Sequence, residues 1–232
     1  MVVAAPPGFC LDGSATRQDA RTTFVRLSDC AGLSPGTRAP RPAVPAILTA
    51  TIAAAGPGAE PVATSAASLD AYVRSEGGRR ALSRAGDAAS VEILETFHND
   101  DVFYLHLRDT APPAEMDVEP TFWRAYVDLP GNIAQLSVLG LRETPLAPED
   151  GVRTLRQFAT IMRARNGVTS TTPLAEIDEM EIVEDYTGKR AYEDGDTAHD
   201  PFPEPAASPR SRPTHVDPLR ALWAIGILRR LL

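Results

Sequence analysis

Two cysteines, Cys10 and Cys30, stand 20 positions apart in the contexts Gly-Phe-Cys and Ser-Asp-Cys, each beside the expected end of a strand. An even thiol count at this spacing fits a disulfide, which by the chain-entropy model would stabilise a fold by roughly 3 kcal/mol. Two reduced thiols packed as small apolar side chains are the other reading. A bridge would place the chain in an oxidising compartment, in a bacterium the periplasm, whereas free thiols would place it in the cytoplasm.

The other residues able to do chemistry are scattered. His98 belongs to the turn-forming group His98-Asn-Asp-Asp101, and His106 lies on the polar side of an alternating strand. The acids of that turn are residues that turns select anyway, so they make no case for a catalytic carboxylate pair. Glu193, Asp194, Asp196, His199 and Asp200 lack calcium-loop spacing and read as a solvated charge run. No dinucleotide fingerprint or nucleophile elbow occurs, and Thr187-Gly-Lys189 lacks the earlier glycine of a phosphate loop. No metal ligand, cofactor site or catalytic residue is assigned on these grounds.

Two constellations remain open. Trp123, Arg124 and Tyr126 could form a recognition surface, since aromatic and arginine side chains dominate binding hot spots. The alternative makes Trp123 core and Arg124 the partner in an edge ion pair. Asp12, His98, His106 and Arg124 could instead be gathered by folding into the dispersed site of a small hydrolase or ligand-binding enzyme.

The C-terminus carries the strongest local signal. Asp217-Pro218 is a cap followed by a first-turn proline. It opens an apolar run containing Leu219, Leu222, Trp223, Ile225, Ile227 and Leu228, closed by Arg229 and Arg230. About 15 residues make ~22 Å of helix, short of the ~30 Å hydrocarbon core, so spanning is not expected. Trp223 and arginines that can snorkel suit a helix lying at a membrane interface. A groove in a partner protein, or the chain's own domain, would accept the same face.

The elements that must position these residues follow from periodicity. Residues 24–27 and 46–52 read as strands bounded by Gly- and Pro-rich loops. Ser68 is a candidate cap for an interrupted helix carrying Leu69, Tyr72 and Val73, broken at Gly77-Gly78 and stopped at Gly86. Two hairpins follow. Residues 91–97 and 102–108 flank the His98–Asp101 turn, the second arm having one buried face, and residues 121–129 and 133–139 flank Pro130-Gly131, a type II turn dipeptide. Trp123, Ala125 and Val127 alternate with Phe122, Arg124 and Tyr126, which makes this arm a central strand covered on both sides. Pro148, Glu149 and Asp150 open a helix whose stripe is Val152, Leu155, Phe158, Ala159 and Met162, with Arg153, Arg156, Arg163 and Arg165 outside it, ending at Asn166-Gly167.

The expected organisation is an α+β domain over 1–167, an acidic then Pro-rich linker over 168–216, and an apolar, basic helix over 217–232. Residues 174–200 hold ten acids against two bases, too polar to bury a core of their own. The domain itself is almost balanced in charge, although the whole chain carries −8, so nucleic acid is not expected as a partner. Of 23 basic residues only Lys189 is lysine, a bias that points to a GC-rich bacterial genome. Residues 1–7 have neither the basic nor the apolar region of a signal peptide, and the reading favours a chain trimmed of its leader. The longest uncharged run, 42–59, contains three prolines and reads as a strand with loops.

The order strand, strand, interrupted helix, two hairpins, closing helix, starting from Pro7-Gly-Phe9, resembles the PsbP/Mog1/DcrB-type α/β/α sandwich over residues 6–166. It is also similar to small exported alphaproteobacterial proteins of unassigned role. The resemblance implies an antiparallel sheet of about six strands packed by helices, and an accessory or binding role at membranes and complexes, with no catalytic residues to carry over. The expectation is a non-enzymatic, periplasmic, membrane-associated protein held by its C-terminal helix to a membrane surface or an integral membrane complex. The alternatives are the dispersed-site enzyme and a cytoplasmic adaptor.

Overall fold

A computed structural model describes residues 1–168 except 20, 36–37, 100 and 113–116. The acidic and Pro-rich segment and the anchor residues Leu219, Leu222, Trp223, Ile225, Ile227, Leu228, Arg229 and Arg230 lie outside the described residues.

The chain forms β1 (Phe9–Leu11), β2 (Arg17–Gln18), β3 (Thr22–Asp29), α1 (Cys30–Leu33), β4 (Ala46–Ala54), α2 (Val62–Arg74) and α3 (Glu76–Leu82). It continues with β5 (Val91–Asn99), β6 (Val102–Asp109), β7 (Val118–Leu129), β8 (Asn132–Leu141) and α4 (Pro148–Arg165). All strands join one antiparallel, open sheet in the order β1-β3-β4-β8-β7-β6-β5, with β2 also on β3. The class is α+β, as read from the sequence, but the sheet has eight strands where about six were expected. The two extra are β1 and β2, three and two residues long, too short to leave a hydrophobic period.

Strand alternation sends side chains to two faces, and each carries a core. On one, Leu48, Ala50, Trp123, Ala125, Leu136 and Val138 pack with Leu155, Phe158, Ala159 and Met162 of α4. On the other, Phe103, Leu105, Leu107, Phe122 and Tyr126 pack with Val62, Leu69 and Val73 of α2 and Leu82 of α3. We call these the α4 face and the α2–α3 face. The sheet is thus covered on both sides, and β7 is an interior strand with both of its faces buried, as its double alternation predicts. β6 was expected to bury one face only. It buries both, because Tyr104 joins the α4-face core while Phe103, Leu105 and Leu107 fill the other.

Local signals account for most element ends. Gly131 has φ +68°, the value a type II turn requires after Pro130. α4 begins at Pro148, carries Glu149 and Asp150 in its first turn, and stops at Asn166, close to the predicted limits. Arg163 departs from the expectation: it lies at the edge of the stripe, 3% exposed, and reaches Asp101 at 2.8 Å. The interrupted helix starts at Val62, not after Ser68. Pro61 precedes it without a side-chain cap of its own, and the Asp128 carboxylate of β7 accepts the Val62 N–H at 2.6 Å in its place. That cap comes from a distant strand, so no local pattern announces it.

Cys10 and Cys30 are disulfide-bonded, Cα–Cα 4.9 Å apart. Cys10 lies in β1 and Cys30 opens α1 directly after β3, so the bridge ties the edge strand to the end of its neighbour. The Asp29 carboxylate accepts the Ala31 N–H at 2.9 Å and starts α1 beside it.

Candidate functional site

Register places a polar belt on the α2–α3 face. Across β3, β4, β8 and β7 the paired residues run Arg26, Thr49, Ser137, Arg124. The next row on that face runs Phe24, Thr51, Gln135, Tyr126. Thr49, Thr51, Ser137, Gln135 and Arg124 are all buried. The residues around them, Phe24, Arg26, Ile47 and Ile133, are larger and only partly buried. Small polar side chains thus lie in two adjacent rows between larger, partly buried neighbours.

Arg124 is the group that stands out. It is 4% exposed. Its Nε donates to Ser137 Oγ at 3.3 Å, its guanidinium lies 5.2 Å from the Phe122 ring centroid, and its Nη1 has no hydrogen-bond partner. No carboxylate forms an ion pair with it among the described residues. Burial pushes its pKa below the ordinary arginine value, while the Tyr126 hydroxyl and Asp109 oppose the shift. Tyr126 is pushed up by its own burial, with Arg124 acting the other way. Gln135 Oε1, on the adjacent strand, is also buried without a partner. Buried polar groups in folded proteins are nearly always paired, so two orphans on neighbouring strands of one face call for an explanation.

Asp109 is fully buried at the end of β6. It accepts the Arg84 N–H at 2.7 Å, the Ser90 hydroxyl at 2.8 Å and the Ala111 N–H at 3.0 Å. Those bonds fix the loop between α3 and β5. The Arg84 guanidinium then lies 5.1 Å from the Phe122 ring centroid, with Arg124 on the same ring.

The α4 face carries a separate aromatic group. His106 stacks on Trp123 with centroids 4.2 Å apart, and Phe97 stacks on Tyr104 at 4.7 Å. Arg156 of α4 lies 5.3 Å from the Phe97 ring centroid. Burial holds the His106 imidazole below its ordinary pKa, which keeps it neutral at neutral pH. Trp123 Nε1 is buried and unpaired, its ring pressed against Gly151 at the start of α4.

The residues singled out in the sequence fall as follows. Trp123 faces α4 while Arg124 and Tyr126 face α2 and α3, and each is at most 5% exposed. They do not form one exposed recognition surface, nor is Arg124 an edge residue, because β7 is an interior strand. Asp12 accepts from Ser14 and pairs with Arg26 at 2.6 Å. That ion pair lies three strand spacings, about 14 Å, from Arg124. His98 is exposed near the end of β5, inside the strand that was expected to stop before it. His106 is on the opposite face from Arg124. Asp12, His98, His106 and Arg124 are therefore not gathered.

Thr49, Thr51, Gln135 and Ser137 went unnoticed in the sequence. Their signal was present: a polar residue at every second position of strands too apolar to be edges, between Leu48, Ala50 and Ile52 in β4 and between Ala134, Leu136 and Val138 in β8. Among the described residues no helix is long and apolar enough to cross a membrane, and no three His, Cys, Asp or Glu cluster as metal ligands. Comparison with protein-family models, with curated proteins and with solved structures finds no match to this chain.

Proposed function

We propose that this chain is a non-enzymatic accessory or binding protein of the bacterial cell envelope, periplasmic and attached through residues 219–232 to a membrane surface or a membrane complex. The observation that carries the reading is the Cys10–Cys30 bridge. Disulfides that hold structure persist in oxidising compartments and are rare in the cytosol, and this one fastens an edge strand of three residues to the end of its neighbour. A binding role draws support from Arg124 and Gln135, whose buried Nη1 and Oε1 have no hydrogen-bond partner among the described residues. Helices on both faces of an antiparallel sheet also suit the PsbP/Mog1/DcrB-type resemblance, and with it an accessory role.

Thiol counting tests the compartment. Protein taken from its native cells and denatured without reductant is expected to yield no free thiol. Two free thiols would remove the case for export and favour the cytoplasmic adaptor.

A further inference from the structure

The α2–α3 face holds a buried positive charge that its surroundings do not neutralise. Arg84 and Arg124 flank the Phe122 ring, and Asp109 is the acid whose field reaches both. Arg142, the next cation, is committed to Asp117 at 2.7 Å. Three guanidinium groups against two carboxylates leave one positive charge over. Arg84 directs its guanidinium to the carbonyls of Ala111 and Glu119, each at 3.5 Å, whereas Arg124 Nη1 is buried with no hydrogen-bond partner, so Arg124 is the one of the two with a free donor edge. An uncompensated buried guanidinium is strongly unfavourable, and an anion brought against it would relieve that penalty.

We infer that the belt around Arg124 binds a small monocarboxylate with an apolar body, its carboxylate on the free edge of the Arg124 guanidinium and a polar substituent on the Gln135 amide. The charge selects the class. One surplus cation matches one negative charge, whereas a phosphate dianion would need a second free guanidinium, and Arg26 is already held by Asp12. The planar fork of arginine suits the two oxygens of a carboxylate. Thr49 and Ser137 supply hydroxyls beside it, and Phe24, Ile47 and Ile133, partly buried on the same face, offer a seat for hydrocarbon. This inference rests on the binding role proposed above and names its ligand.

The test is calorimetric titration and thermal unfolding of the full chain with benzoate and hexanoate as probes. Benzyl alcohol and hexanol serve as neutral counterparts and inorganic phosphate as the dianion. A saturable rise in Tm with the carboxylates and none with the alcohols is expected, with Arg124→Gln weakening binding by about ten- to a hundredfold. Arg124→Met, which removes the uncompensated charge, is expected to raise the Tm of the ligand-free protein while abolishing the carboxylate response. Should these variants not fold, Thr49→Val, which removes a hydroxyl beside the carboxylate, reports on the same site by a weakened response in a folded protein. The inference is overturned by no saturable response to either carboxylate, by a response that survives in every folded variant, by equal shifts with the alcohols, or by a larger shift with phosphate. Thiol state is read independently, so the ligand assignment can fail while the compartment stands, and the reverse.

Discussion

Arg124 Nε donates to Ser137 Oγ across the β7–β8 pair at 3.3 Å, which holds a buried guanidinium over the neighbouring strand. Removing the hydroxyl would leave a second N–H of the same group unsatisfied. Ser137→Ala is therefore expected to lower stability by about 1–3 kcal/mol, more than deletion of one oxygen from an exposed site would, as read from the urea midpoint.

The bridge closes a loop over the Cys10–Cys30 separation of 20 and fastens β1 to the end of β3. Reduction, or Cys10→Ser with Cys30→Ser, is expected to lower stability by about 2–4 kcal/mol. Hydrogen exchange should accelerate first in β1 and α1, with β7 and β8 keeping their protection.

Asp12 has its pKa lowered from 3.8, chiefly by the Ser14 hydroxyl and then by Arg26. A carboxyl whose folded pKa is depressed contributes stability that is present above its unfolded value and lost as pH falls through the folded one. Wild type should thus exceed Asp12→Asn in stability at neutral pH, and the gap should close progressively below pH 3.8. Parallel thermal melts of the two proteins across that range measure it.

Gly77 and Gly78, the expected helix break, lie inside the first turn of α3, the break falling at Ser75, and they should respond oppositely to substitution. A Cβ at Gly78 would lie 1.9 Å from the Tyr72 carbonyl oxygen and 2.8 Å from Val73 Cα, whereas one at Gly77 meets nothing nearer than Ser75 Oγ at 3.8 Å. Gly78→Ala is expected to destabilise by about 1–3 kcal/mol through that backbone clash. Gly77→Ala should be neutral or stabilise by up to about 1 kcal/mol, from its better helix propensity. Denaturant titration of the pair separates steric contact from propensity.

The sequence made legible those features whose cause is local. Pro148 with Glu149 and Asp150 opens α4, Pro130-Gly131 turns the second hairpin, and the alternation around Trp123 marks a strand buried on both sides. Features set by distant partners could not be read. The cap on α2 comes from Asp128, some 66 positions away, and the partner of Arg163 is Asp101, 62 positions away. Arg124 was noticed as a residue type, but its isolation depends on where Asp109, Asp117 and Arg142 come to rest. Thr49, Gln135 and Ser137 matter only once register sets them in rows beside it. The disulfide was foreseen as a pairing because only two cysteines exist; its role in fastening β1 needed the sheet order.

Envelope attachment is tested most directly by fractionation of native cells expressing the full chain or a variant lacking residues 219–232. The account predicts that the full chain sediments with envelope membranes, and that the shortened chain, still disulfide-bonded, is released by osmotic shock with the periplasmic contents. Identical fractionation of the two, or recovery of both in the cytosol with free thiols, would contradict it.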